Sequence, residues 1–459
     1  MDAADLAFAG AARQAELIRS REASSRELTE LYLDRIDRLD PQLNAYRVVF
    51  EERALAEADQ ADARAKAGDT RPLLGVPIAI KDDCDVAGSA TAFGCYTDGR
   101  PVAADAEVVR RLRSAGAVIL GKTHVPELTV TPWTESPAYG ATRNPWDVHR
   151  TSGGSSGGSG TAVAAGLCGA ALGSDGAGSI RIPAACCGLF GLKAQNGSVP
   201  TAPVVEPWHG MSMWGPLTRR VADSAVFYDA IKDGARAFSA LETPGRLKIA
   251  VSIRTPPLTG VQADDEQLSG VAAVAAALRD LGHEVIEREI EYPLSTGANV
   301  LSRYMRGIHD MGQAMPHPEE LSRRTRGYMR IGGAIPMAAV ERAKAAAGAD
   351  AAAIGRVFDD GVSAVLTPMF TRRPPRVGEY EGRPAVWCFA GSVRFVPYCG
   401  AFNHTGQPAA SIPATWTNDG FPVGAQLVVQ REQEPLLLSL AAQLETALGW
   451  ADRRPEMAA

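Results

Sequence analysis

The chain has 459 residues, 46% apolar and 22% charged, with a formal net charge of −6. That is ordinary globular usage with material for a large core, and it offers no basic field of the kind nucleic-acid binders present, so no nucleic acid is expected as partner. The N-terminus opens with acidic Asp2 and Asp5 where a secretory leader is positive, and no apolar run approaches bilayer length, so the expectation is a soluble, cytoplasmic protein with no membrane partner.

Helical grammar comes first: Ser24 and Ser25 precede Glu27, and Leu28, Leu31, Tyr32, Ile36 and Leu39 recur at helical spacing. A charged, Ala-rich run follows from Glu51 to Lys66. Leu73 to Ile80 reads as an apolar strand ending at Lys81. Glu107 to Ser114 reads as a helix stopped near Gly116, and Ala117 to Leu120 as the next strand, which is βαβ grammar. Arg246–Ile253, Asp264–Leu281 and Glu284–Ile290 repeat it as strand, helix and strand. Between Tyr292 and Asp359 the pattern is helical and Arg-rich, and carries no motif to which chemistry attaches. The expectation is α/β, a mixed sheet with covering helices.

Gly116 to Thr123, GAVILGKT, matches the phosphate-loop pattern letter for letter. A phosphate loop needs its intervening residues to form a turn of free N–H groups running into a helix. Here those residues are an apolar strand, and Pro126 follows soon after, so nucleotide binding is not expected. The seven cysteines (Cys84, Cys95, Cys168, Cys186, Cys187, Cys388 and Cys399) form no disulfide framework and no CxxC pair, and HExxH is absent. No metal is expected. The histidines are scattered and no G-x-S-x-G elbow occurs, which disfavours a Ser-His-Asp triad.

Three segments call for a joint explanation: GVPIAIKD at Gly75–Asp82, GGSSGGS at Gly153–Ser159, and GSDGAGSIRIPAACCGLFGLK at Gly173–Lys193. In this order they resemble the amidase signature family. The resemblance continues through RNPWD at Arg143–Asp147, GPLTRRVADSA at Gly215–Ala225, LTP at Leu366–Pro368, and FNHTGQPAASIP and GFPVGAQLV near the C-terminus. It is weakest from Arg246 to about Asp360. It implies the amidase signature fold, a central mixed β-sheet covered by helices on both faces, over 1–459 as a single domain. Within it, 1–70 is an N-terminal helical segment, 71–225 the signature core, 246–360 a variable substrate-side region and 361–459 the C-terminal part of the core.

By the same resemblance Ser179 is the nucleophile, Ser155 a proton relay following a cis peptide bond from Gly154, and Lys81 the base. The physics agrees: a serine hydroxyl needs a base, and a lysine serves when burial keeps it neutral. The run Gly176, Ala177, Gly178, Ser179 offers successive N–H groups for an oxyanion, since glycine tolerates the backbone conformations such a nest requires. Two departures from the family pattern stand here: Ala177 replaces a glycine and Ser174 a threonine. Ser156 and Ser152 read as supporting hydrogen-bond partners, and Asp175 and Arg181 as the groups that hold the nucleophile's loop. Cys187, by resemblance, packs in the core.

Trp133, Trp208, Met211, Met213 and Trp214 fall in segments that, by the same resemblance, approach the acyl or leaving-group pocket; if they line it, the substrate is apolar or aryl. The expected activity is cofactor-free hydrolysis of a small amide, with esters and carbamates as side or main substrates. The alternative is the glutaminase A subunit of a tRNA-dependent amidotransferase. A homodimer through the N-terminal helices is a further expectation by analogy.

Overall fold

The computed structural model describes residues 2–257 and 259–458; Met1, Leu258 and Ala459, within the 1–459 span, lie outside the described residues. Eleven strands form one sheet. They are β1 (Tyr46–Val49), β2 (Pro77–Lys81), β3 (Val118–Thr123), β4 (Ala170–Asp175), β5 (Phe190–Lys193), β6 (Met213–Thr218), β7 (Lys248–Val251), β8 (Glu284–Glu287), β9 (Val362–Pro368), β10 (Ala409–Trp416) and β11 (Pro422–Val429). Their spatial order is β1-β3-β2-β4-β6-β5-β10-β11-β9-β7-β8.

Both βαβ units form as read. β2 and β3 are parallel, with Pro77 opposite Val118, and the helix Glu107–Ser114 crosses between them. β7 and β8 are parallel, with Lys248 opposite Glu284, across the helix Asp265–Asp280. β4 adds parallel to β2, whereas β6, β5, β10 and β11 follow antiparallel. β2, β3 and β4 are buried along their whole length, which is why they read as apolar runs without alternation.

The helix Ser25–Leu43 begins with a capping box: Ser24 Oγ accepts from the Glu27 N–H at 3.0 Å while the Glu27 carboxylate accepts from the Ser24 N–H at 2.8 Å. The strands are shorter than read at β2, β7 and β8. Leu73 to Val76 form a turn that hydrogen-bonds onto Ala115 and Gly116, and Ser252 turns out of β7 to donate to Glu289. The stretch 292–359 is helical, as Leu294–Gln313, Arg323–Gly333 and Met337–Gly355.

The phosphate-loop match is refuted by its geometry. Gly121, Lys122 and Thr123 belong to β3, and the buried Lys122 ammonium is 2.8 Å from Asp82 and bonded to the Ala90 carbonyl and Thr91 hydroxyl. No N–H nest is left for phosphate.

Candidate active site

β2 and β4 are neighbours and end together, so Lys81 at the end of β2 faces Ser174 and Asp175 at the end of β4. Lys81 is fully buried. Its Nζ lies 2.7 Å from Ser155 Oγ, 2.6 Å from Ser174 Oγ and 3.1 Å from an Asp83 carboxylate oxygen. Burial lowers the lysine pKa, with Asp83 opposing.

Ser155 enters from the loop that precedes the helix Gly157–Ala164, and the Gly154–Ser155 peptide is cis. The glycines of this segment are required by close approach. A Cβ on Gly154 would sit 2.5 Å from the Thr131 carbonyl, and one on Gly158 would sit 2.4 Å from the His124 nitrogen. Ser156 ties the loop to β4: its hydroxyl donates to the Ser174 carbonyl and accepts from the Ser174 N–H, both at 3.3 Å.

Ser179 lies on the turn between β4 and the helix Arg181–Cys186, half exposed to the cavity described below. Asp175 holds this turn. Its carboxylate accepts from the N–H groups of Gly178 at 2.7 Å and Ile180 at 3.2 Å, and pairs with the buried Arg181 guanidinium at 3.0 Å. Burial works against the charge, yet Arg181 and Asn403 hold the Asp175 carboxyl far below the usual carboxylate range. Arg181 in turn donates to Asn403 Oδ1 at 2.6 Å and Gln426 Oε1 at 2.7 Å, so its whole fork is satisfied.

Ser155, Ser174 and Ser179 open onto a cavity of about 240 Å³. One wall is the helix Leu294–Gln313, which contributes residues from Thr296 to Met311, and Trp208, Met213 and Trp214 form another part. Among the described residues of the lining, Asp83 is the only ionisable side chain besides Tyr304.

A family model described as Amidase matches residues 27–438. The chain belongs to the amidase family. It is an amide C–N hydrolase. It is 49% identical over 462 residues to the Mycobacterium tuberculosis protein named "Putative amidase AmiB2", with all of both chains covered. The 6-aminohexanoate-cyclic-dimer hydrolase of Paenarthrobacter ureafaciens is 34% identical over 491 residues, covering 97% of this chain and 96% of the other. A solved 6-aminohexanoate cyclic dimer hydrolase complexed with substrate superposes with a TM-score of 0.89 at 32% identity, over 99% of this chain and 100% of that one. A bacterial aryl acylamidase of the amidase signature family, at 22% identity and a TM-score of 0.83 over 96% and 97% of the two chains, shares the fold.

Within this amidase the structure corrects several expectations. The Gly178 N–H is committed to Asp175, so it is withdrawn from the expected set of oxyanion donors; Gly176, Ala177 and Ser179 N–H make no hydrogen bond among the described residues. Trp133 does not line the cavity: it is buried and stacked on Tyr380, with centroids 4.2 Å apart. Met211 is buried away from the lining as well. Ser152 Oγ has no partner among the described residues, so it is not a hydrogen-bond support.

Cys187 is core, its thiol pushed far up by burial, and no histidine is among the described residues that line the cavity. Three polar groups escaped sequence reading: Asp83, Asn403 and Gln426. The signal for Gln426 was a polar residue inside an otherwise apolar segment, GAQLV.

Proposed function

We propose that this amidase hydrolyses small, neutral, predominantly apolar amides through an acyl-enzyme on Ser179. The observation that carries the reading is the buried chain Lys81–Ser155 opening onto a cavity in which Ser179 stands among apolar walls. Neutral Lys81 takes the proton of Ser155, which takes that of Ser179 as its Oγ attacks the carbonyl. The N–H groups of Gly176, Ala177 and Ser179 receive the oxyanion. The proton returns through Ser155 to the leaving nitrogen, and water repeats the attack on the acyl-enzyme. Ser179 Oγ makes no protein hydrogen bond among the described residues, so its link to Ser155 closes with substrate in place.

Neutrality of the substrate follows from the lining. Among the described residues the lining holds one carboxylate, Asp83, whose Oδ2 is engaged by Lys81 and Ser174, and no arginine or lysine reaches the wall to meet a free carboxylate. Free glutamine, with two charged groups, has nothing here to pair with, which argues against the amidotransferase-subunit reading. The relative named for a cyclic dimer of 6-aminohexanoate fits the same picture, since closing a ring of amides leaves no free terminus. Esters and carbamates share the acylation step and are further substrates.

The test is amine release from aryl and aliphatic amides and aryl carbamates by wild type and Ser179→Ala. Loss of turnover by about 10³-fold or more in the variant is expected. Comparable rates in both proteins would remove Ser179 from the chemistry, and preference for free glutamine would overturn the neutral substrate.

A further inference from the structure

Asp83 touches the buried lysine without belonging to the serine–serine–lysine chain. Its Oδ2 accepts from Ser174 Oγ at 2.7 Å and stands 3.1 Å from Lys81 Nζ, while its Oδ1 is buried without a hydrogen-bond partner. The directions of these bonds follow from what each group can do. An ionised carboxylate only accepts, so the single Ser174 hydroxyl proton is committed to Asp83. Ser174 Oγ, 2.6 Å from Lys81, is thereby left only to accept, and it takes a proton of the amine. Asp83 takes another. A neutral amine has two protons and one lone pair, and the remaining contact, at 2.7 Å, is Ser155.

We propose that Asp83, acting through Ser174, is a positioning residue that fixes the hydrogen-bond directions around Lys81 so that the lone pair of the neutral amine can face only Ser155. This rests on Lys81 acting as the base. With Asp83 and Ser174 both requiring its protons, the amine takes up the Ser155 proton without first rotating. The same carboxylate has an opposing effect: its charge favours the ammonium, as does Asp175 further off, against the burial that favours the amine. Cys84 is the other titratable neighbour of this lysine. Ordering and charge therefore separate in two substitutions.

The experiment is the pH profile of kcat/KM on a neutral aryl amide for wild type, Asp83→Asn, Asp83→Ala and Lys81→Met, each checked by thermal melting. Asp83→Asn keeps an acceptor for Ser174 and Lys81 but removes the charge. Its acid limb is expected to move down by about one pH unit, and its alkaline plateau to fall less than about tenfold. Asp83→Ala removes the acceptor, and its plateau is expected to fall about a hundredfold with no recovery at high pH. An acid limb that stays in place in Asp83→Asn, a wild-type plateau in Asp83→Ala, or equal plateau losses in the two would each overturn the proposal. Should Asp83→Ala fail to melt cooperatively, Ser174→Ala, which breaks the link through which Asp83 acts, takes its place, and a wild-type plateau there overturns the proposal. Lys81→Met separates this inference from the reading beneath it: retained activity there overturns Lys81 as base, whereas an inactive Lys81→Met beside unaffected Asp83 variants overturns only the role of Asp83.

Discussion

The floor and the walls of the cavity are built on opposite principles. The floor, from Lys81 to Asp83, Gly154 to Ser156 and Ser174 to Arg181, is polar and cross-tied: the Asp175 carboxylate and the Arg181 guanidinium are spent on named partners. The walls, chiefly Trp208, Met213, Trp214 and the helix Leu294–Gln313, are apolar and present few directed contacts. A reaction that passes one proton along fixed atoms needs the first arrangement, since a small misplacement there costs rate. On the proposed reading, selection among neutral substrates needs only shape and apolar area, and the second supplies it.

Breaking the floor should have the largest effect. Arg181→Met would leave Asp175 charged, buried and short of its strongest partner, which costs about 3–5 kcal/mol. The urea midpoint should fall accordingly, and turnover should collapse because the Gly178 turn is no longer held. A variant with the wild-type midpoint would mean that the pair is not what fixes the turn.

The wall should answer more mildly and in a different kinetic constant. Val300→Asp places a charge on the half-buried helix face that lines the cavity. KM for an uncharged aryl amide should rise roughly tenfold with a smaller change in kcat, and an amide bearing a cationic amine should be penalised less. An equal loss in kcat for both substrates would show that the wall is coupled to the floor and that the division drawn above is too sharp.

The same division explains what the sequence disclosed. Lys81, Ser155 and Ser179 were singled out by resemblance to the family, and the fold brings Lys81 and Ser155 into contact; the segment around Ser155 stands out in composition because of local backbone demands, such as the close approaches at Gly154 and Gly158. The two βαβ units were legible from periodicity, but the insertion of β11 between β10 and β9 was not, since strand order depends on long-range packing. Asp83 stood two residues beyond Lys81 and went unread, because only the folded loop turns its carboxylate back to the amine. Trp133 was read as wall because the resemblance placed its segment near the pocket, and a segment's position does not say which way an aromatic side chain faces. Gly178 was read as an oxyanion donor because glycine reveals what the backbone can do, not where its N–H points.

A buried titratable group outside both regions tests whether perturbation alone marks chemistry. Asp223 is buried in the helix Val221–Ile231, where it accepts from the Ala12 N–H at 2.8 Å at the start of the helix Ala11–Ser20, and its other oxygen has no hydrogen-bond partner. Burial raises its pKa from 3.8 to about 7. A raised carboxyl favours the neutral form in the fold, so stability is fullest below about pH 4 as far as this group is concerned. It declines as pH rises towards 7, by at most about 1.4 kcal/mol per pH unit. Asp223→Asn keeps an acceptor for Ala12 and cannot ionise. Its Tm should therefore match wild type near pH 5 more closely than near pH 8, where the variant should be the more stable protein. Turnover should follow the folded fraction at both pH values, because Asp223 does not line the cavity. If instead the variant lost activity while its Tm rose, the N-terminal helices would be coupled to the floor, and strong burial of a carboxyl would be a marker of function here after all.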